Sequence, residues 1–288
     1  MNQREIKRIL GYFAGLFLFF APFAYYQKTL SVWLGGSQAS DIHSFCLRIP
    51  LLNVLTGQSI EIFNVGIISL LLLVSAAFFL GPFFCAHLCA SGALPEYLSR
   101  LMPKRFKIDW QRSVNPVPIR YGFFVGYLLS PFLAGSIACA LCNYSFMERL
   151  IVGGVQGDIG PLGSTAIITA ILWLGIFGVM AKGGRGFCSY LCPVGALQSA
   201  VHSVGARFRF TYKLRFIPSK CVNCKQCVKK CPMGALSHKD GILSYEVYNC
   251  ITCGQCAGVC AKNALAYGTG ESGWQKENAG EPELELVK

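Results

Sequence analysis

Charge is what this sequence has least of. Among 288 residues, Asp, Glu, Lys and Arg make up 14%, against 53% hydrophobic residues. So small a charged fraction excludes an ordinary soluble globular domain, in which about a quarter of residues are charged. Acidic residues are the scarcer kind, 14 against 26 Lys and Arg, which leaves a formal net charge of +12. No polar domain gathers the basic residues together. They lie between and beside apolar stretches, which excludes a nucleic-acid partner and matches the positive-inside rule of membrane proteins. Apolar runs long enough to span a bilayer fall at about 9–26, 65–84, 119–141 and 163–181, the third of them opening at Arg120. Outside the runs, Lys and Arg number 3 before the first, then 2, 5 and 1 in the connections, and 14 after the last. The alternation predicts four transmembrane helices in contact with membrane lipid, multi-pass in a bacterial or archaeal cytoplasmic membrane. It puts both termini and the second connection in the cytoplasm.

Cysteine is abundant, with fifteen in the chain. Eight of them fall in two copies of CxxCxxCxxxC, namely Cys221, Cys224, Cys227, Cys231 and Cys250, Cys253, Cys256, Cys260. Zinc ribbons use pairs of CxxC rather than triplets, whereas this spacing is the bacterial ferredoxin run, whose fourth cysteine ligates the other cluster. The spacing assigns Cys221, Cys224, Cys227 and Cys260 to one 4Fe-4S cluster, and Cys250, Cys253, Cys256 and Cys231 to a second. Val222, Val228, Ile251 and Val259 are expected to shield them, and Lys225, Lys229 and Lys230 to steer an acidic partner. Thiolates that must stay reduced until metallated also place this module in the cytoplasm.

An internal repeat extends the cysteine chemistry beyond that module. Gly81-Pro-Phe-Phe-Cys-Ala-His-Leu-Cys-Ala-Ser-Gly-Ala-Leu aligns with Arg185-Gly-Phe-Cys-Ser-Tyr-Leu-Cys-Pro-Val-Gly-Ala-Leu. Each copy closes an apolar run, so the four runs read as two repeated helical pairs. Cys89 and Cys192 are expected at helix starts, where backbone N–H groups favour a thiolate. Cys231-Pro-Met-Gly-Ala-Leu and Cys260-Ala-Lys-Asn-Ala-Leu carry the same ending, and a helix is expected behind these ligands too. Cys85, Cys89, Cys188 and Cys192 form a candidate additional redox or metal site; buried structural thiols are the alternative. His87 is matched by Tyr190 in the other copy and is not counted as a ligand. His43, Cys46, Cys139 and Cys142 form a weaker candidate for a metal site or redox disulfide on the opposite face, where a structural disulfide or unrelated packing cysteines is the plainer reading.

Four apolar runs, two CxxxC(P) motifs and a terminal two-cluster motif resemble the NapH/MauN-like membrane polyferredoxins. Cys192-Pro193 follows that pattern, whereas Cys89-Ala90 lacks the proline, which puts the local turn in doubt. The resemblance implies quinol oxidation and electron delivery through iron–sulfur or cytochrome partner subunits to a respiratory reductase. The alternative is a redox accessory protein for metal reduction or cofactor maturation. The expected fold is thus an α-helical membrane part over 1–205, a small α+β ferredoxin-like domain with two 4Fe-4S clusters over 206–267, and a disordered tail over 268–288. No catalytic residue is assigned.

Overall fold

The computed structural model describes residues 3–34, 65–133, 142–156, 164–239 and 242–274. Helices α1 (Gln3–Phe19) and α2 (Tyr25–Trp33) are joined by a turn through Pro22. Next come α3 (Val65–Leu80), α4 (Ala90–Leu101), α5 (Pro116–Leu133) and α6 (Asn143–Gln156). Helix α7 (Ser164–Thr169) continues directly into a π-helical stretch, Ala170–Val179. One turn, α8 (Gly186–Tyr190), leads to α9 (Pro193–Gly205).

Among the described residues no helix is long and apolar enough to cross a membrane, which overturns the expected fold of four transmembrane helices. The apolar runs are interrupted where composition alone suggests continuity. Helix α1 stops at Phe19, inside the first run, and the chain turns before α2. Helix α3 ends ahead of Gly81 (φ +74°) and Pro82. Its 16 residues rise about 24 Å, short of a hydrocarbon core of about 30 Å. Helix α5 reaches 18 residues but holds Arg120 and three prolines, and 134–141 of that run lie outside the described residues.

The helical core forms around Trp173, which is fully buried and donates its indole N–H to the Ser91 carbonyl at 3.1 Å. Phe20, Phe146, Met147 and Phe187 pack around it, binding α6, the π-helical stretch and α8 into one layer. Helix α1 crosses the Cys85–Cys89 segment at Gly15, where a Cβ would stand 1.9 Å from the Leu88 carbonyl oxygen. Any other residue there would force the two apart.

The C-terminal module is built from short strands. Strand β1 (Lys213–Phe216) pairs antiparallel with β4 (Leu265–Gly268), Lys213 opposite Gly268. Strand β2 (Leu236–Lys239) pairs antiparallel with β3 (Ile242–Tyr245), Leu236 opposite Tyr245. Single helical turns, α10 (Gln226–Lys230) and α11 (Gln255–Gly258), complete it. Leu214, Phe216, Leu236, Leu243 and Leu265 form its core. The module extends to Trp274, beyond the expected end at 267, because that indole stacks on Phe216 at 4.3 Å and donates to the Leu214 carbonyl at 3.1 Å. The rest of the expected tail, 275–288, lies outside the described residues.

Module and helices interlock along one side. Gln111 Nε2 donates to the Met233 carbonyl at 2.6 Å, Tyr212 N–H to the Phe79 carbonyl at 2.8 Å, and the Tyr267 hydroxyl to the Leu80 carbonyl. At Gly183 (φ +84°) a Cβ would lie 2.2 Å from the Pro232 carbonyl oxygen.

Candidate functional site

The two ferredoxin copies repeat in backbone as well as in spacing. Asn223 and Lys225 have left-handed φ of 53° and 60°, and Thr252 and Gly254, at the same places in the second copy, have 52° and 68°. Three residues after the last cysteine of each copy, Gly234 and Asn263 are left-handed again, at 59° and 50°. Left-handed residues reverse the chain locally and turn successive N–H groups toward one side, which curls each loop around its own centre. Thr252 N donates to Cys250 Sγ at 3.3 Å, and Ala264 N to Cys260 Sγ at 3.2 Å. The helix expected behind the fourth cysteine is absent in this module. After Cys231 and Cys260 the chain makes a turn and enters β2 and β4, because Leu236 and Leu265 are needed in a sheet-sided core.

Cys231 shares one cavity with Cys250, Cys253 and Cys256, a space that Leu214, Leu236 and Ile251 also line. Burial pushes the Cys231 thiol up to about 12, with Cys253 and Cys250 adding to it, and Cys250 up to about 11. Cys221, Cys227 and Cys260 lie half-buried against the module core, and Cys224 is exposed. Cys227 is raised chiefly by burial, and the sulfurs it feels are Cys221 and Cys224. Of the four apolar shields, Ile251 is buried and Val228 packs on the core, whereas Val222 is 61% exposed and Val259 lies near the surface. Lys225, Lys229 and Lys230 are exposed.

A second cavity is lined by Cys85, Cys89, Cys188 and Cys192 together with Arg120 and Arg185. Its far wall is the ferredoxin module itself, through Met233, Tyr248, Cys250 and Ile251. The repeat seen in the sequence is a repeat in space. Cys85 lies in the single turn Phe84–Leu88 and Cys188 in α8, while Cys89 and Cys192 cap α4 and α9 with nearly the same backbone, φ −74°, ψ 96° and φ −76°, ψ 114°. The missing proline after Cys89 leaves the turn unchanged, since the first helical position requires no N–H donor and tolerates either residue. All four cysteines are free thiols. Burial raises each, Cys89 to about 11, and Cys85 is pushed further by Cys89, Cys192 and Cys188. Among the described residues no three His, Cys, Asp or Glu side chains converge closely enough for one metal ion. Of the weaker candidate, His43, Cys46 and Cys139 lie outside the described residues. Cys142 is within electrostatic reach of Cys192, and the next residues, Asn143 and Tyr144, line this same cavity.

Behind the second cavity lies a buried charge network that composition does not reveal. Glu96 accepts from Arg8 Nη2 at 3.0 Å and from Arg185 Nε at 2.6 Å. Tyr12 Oη accepts from both guanidinium groups at 2.7 Å and donates to the Ala86 carbonyl at 2.5 Å. Burial works to raise Glu96, but Arg185 and Arg8 outweigh it and hold the carboxyl at about 2. The signal available in sequence is a charge flanking or entering an apolar run: Arg8 stands just before the first, and Arg120 inside the third.

Comparison with known proteins agrees with these features. The family described as 4Fe-4S dicluster domain matches residues 213–261, and the family described as 4Fe-4S binding domain matches 64–109 and 165–211, the two segments that hold the paired cysteines. The chain is a 4Fe-4S iron–sulfur protein. It is 29% identical over 167 residues to an uncharacterized protein of Methanocaldococcus jannaschii, covering 58% of this chain and 65% of that one. It is 26% identical over 189 residues to the putative electron transport protein YccM of Escherichia coli K12, with 62% and 49% covered. With the ferredoxin-type protein NapH of the same organism it shares 29% over 150 residues, with 52% and 47% covered. These similarities support a polyferredoxin family. The chain matches less than two thirds of the length of each of these relatives. No solved structure matches.

Proposed function

We propose that this chain carries electrons between a quinol and partner iron–sulfur or cytochrome subunits, with the C-terminal module as its conducting end. The observation that carries the reading is the cavity in which Cys231 from one copy meets Cys250, Cys253 and Cys256 from the other. Cross-ligation requires that juxtaposition. Cys221, Cys224, Cys227 and Cys260 are the ligands proposed for the companion cluster. When bound, a 4Fe-4S cluster supplies reversible one-electron chemistry. The chain's own residues hold it, exclude water through Ile251 and Leu236, and offer N–H groups such as Thr252 to the sulfurs, which stabilises the more negative state.

Exposed Cys224 and the neighbouring Lys225, Lys229 and Lys230 form the face that meets an acidic partner. Lipid contact falls to exposed apolar side chains, among them Leu71, Leu72, Val125, Ile167 and Ile171. The module is proposed to face the cytoplasm, where its thiols stay reduced until metallated. Anaerobic titration of the purified chain with menaquinol and ubiquinol tests the reading: the visible iron–sulfur absorbance should bleach with one of them. A full cluster complement that neither quinol reduces rejects the donor while leaving the ligand assignment standing.

A further inference from the structure

Four cations are buried among the described residues: Arg8, Arg120, Arg185 and Lys213 are each 3% exposed or less. Three of them have an evident match. Arg8 and Arg185 share the Glu96 carboxylate. Lys213 Nζ donates to the Ala206 and Phe208 carbonyls at 2.7 and 2.8 Å, just past the end of α9, where a cation complements the helix. Arg120 bonds no carboxylate of the described residues. It donates from Nε to the Ser189 carbonyl at 2.7 Å, from Nη1 to Ser199 Oγ at 3.3 Å and the Tyr248 carbonyl at 2.6 Å, and from Nη2 to Asn249 Oδ1 at 3.1 Å. All four acceptors are neutral, so these bonds satisfy the guanidinium without cancelling its charge.

The same bonds reach both parts of the molecule. Ser189 and Ser199 belong to α8 and α9, whereas Tyr248 and Asn249 belong to the ferredoxin module and stand directly before Cys250. Cys250 and Ile251 line both cavities, so the segment that Arg120 holds is the wall between them. Tyr121 reinforces the hold: its ring meets that of Tyr248 edge-on at 5.8 Å, and its hydroxyl lies 3.0 Å from Ser199 Oγ. A planar guanidinium can serve acceptors on three elements at once, which an ammonium cannot. The thiols within electrostatic reach of Arg120 are Cys192, Cys188 and Cys85, across the same wall. Arg120 itself falls outside the residues matched by either family.

The opposite side of the module differs. Lys225, Lys229 and Lys230, beside exposed Cys224, are in water, which screens them. A buried cation acts through a lower effective dielectric and weighs more on a negative charge nearby. We propose that Arg120 is a positioning residue for electron transfer at the wall between the cavities. It fixes the Tyr248–Cys250 segment on the helical part. Its charge favours the electron on the inner cluster, the one proposed on Cys231, Cys250, Cys253 and Cys256, over the outer one proposed on Cys221, Cys224, Cys227 and Cys260. This rests on the ferredoxin reading above and adds to it a residue that biases on which side of the module the electron resides. An electron passed on from the quinol adds one negative charge there, and no covalent bond is made or broken.

The test is a redox titration of the native full-length chain, purified without oxygen and followed by electron paramagnetic resonance. Cys253→Ser and Cys224→Ser identify the inner and outer signals. In Arg120→Gln the ratio of reduced inner to reduced outer cluster at a fixed solution potential should fall about tenfold, the size expected for one partly screened interior charge. Arg120→Lys should restore most of that ratio, because it returns the charge but not the four bonds. Hydrogen exchange at the Tyr248, Asn249 and Cys250 amides should speed up in both variants, because neither keeps the clamp. A ratio unmoved in Arg120→Gln overturns the charge role, and exchange unmoved in both variants overturns the positioning role. Loss of both module signals in Arg120→Gln and Arg120→Lys alike makes Arg120 a fold-holding residue only and rejects the proposal. A native chain without two module clusters rejects the ferredoxin reading and this proposal with it, whereas two clusters indifferent to Arg120 reject this proposal alone.

Discussion

The two cysteine-lined cavities share a wall but are built by different means. In the ferredoxin module the cysteine frame comes from backbone: six left-handed residues, three per copy, bend short loops around a sulfur set, and the nearby side chains are mostly apolar. In the helical part the frame comes from helix starts and buried ions, with Cys89 and Cys192 at N-caps and Arg120, Arg185, Arg8 and Glu96 packed around them. The first arrangement specifies geometry cheaply over about fifty residues. The second draws its parts from across the chain, and each ion depends on its partners.

That contrast can be broken from either side. The largest effect is expected from Glu96→Gln, which leaves Arg8 and Arg185 buried without a counterion. Loss of a buried ion-pair partner costs roughly 3–5 kcal/mol, and denaturant unfolding followed by far-ultraviolet dichroism should show it. Iron–sulfur absorbance recorded in the same experiment separates the regions, because a helical part that unfolds first leaves the ferredoxin signal intact. Glu96 also sets a pH window. Its carboxyl lies at about 2 in the folded chain, below the ordinary 4.5, so its stabilisation is complete above about pH 4.5 and is lost as the pH falls toward 2. Acid titration of Glu96→Gln should lack that component.

Trp274→Ala breaks the comparison from the module side. It removes a buried indole stacked on Phe216 and Tyr245, a loss of roughly 3 kcal/mol by analogy with other aromatic truncations. Cluster absorbance should then bleach at lower denaturant than the helical signal does. The smallest effect is expected from Lys225→Gly. At φ 60° a lysine is strained and a glycine is not, so the variant should be more stable by about 1 kcal/mol, read from the same curves. A destabilised variant would mean that the lysine side chain, and not the backbone, holds that loop.

The ferredoxin module was legible in sequence because the cysteines of each copy are close together: their spacing alone marks each loop. The repeat of Cys85–Cys89 with Cys188–Cys192 was legible for the same reason, down to the helix starts. The membrane spans were misread because hydropathy averages over a window, and turns at Pro22 and Gly81-Pro82 or a buried Arg120 hardly change the average. The pairing within the ion network was not legible because Arg8, Glu96 and Arg185 are far apart in sequence, and the charges beside or inside apolar runs gave the one sign of it. The end of the module was missed because Trp274 is one aromatic residue in a polar stretch, and only its contacts with Phe216 and Leu214 show that it belongs to the core.

The interlocking of module and helices has a last consequence, for traffic. Gln111 and Gly183 press on the Pro232–Met233 turn and Arg120 grips Tyr248 and Asn249, so the side of the module near Cys231 and Cys250 faces inward. The side near Cys224 faces out, with Val222 and three lysines around it. Among the described residues, the module thus turns its Cys224 side to solvent and its Cys231 and Cys250 side to the helices.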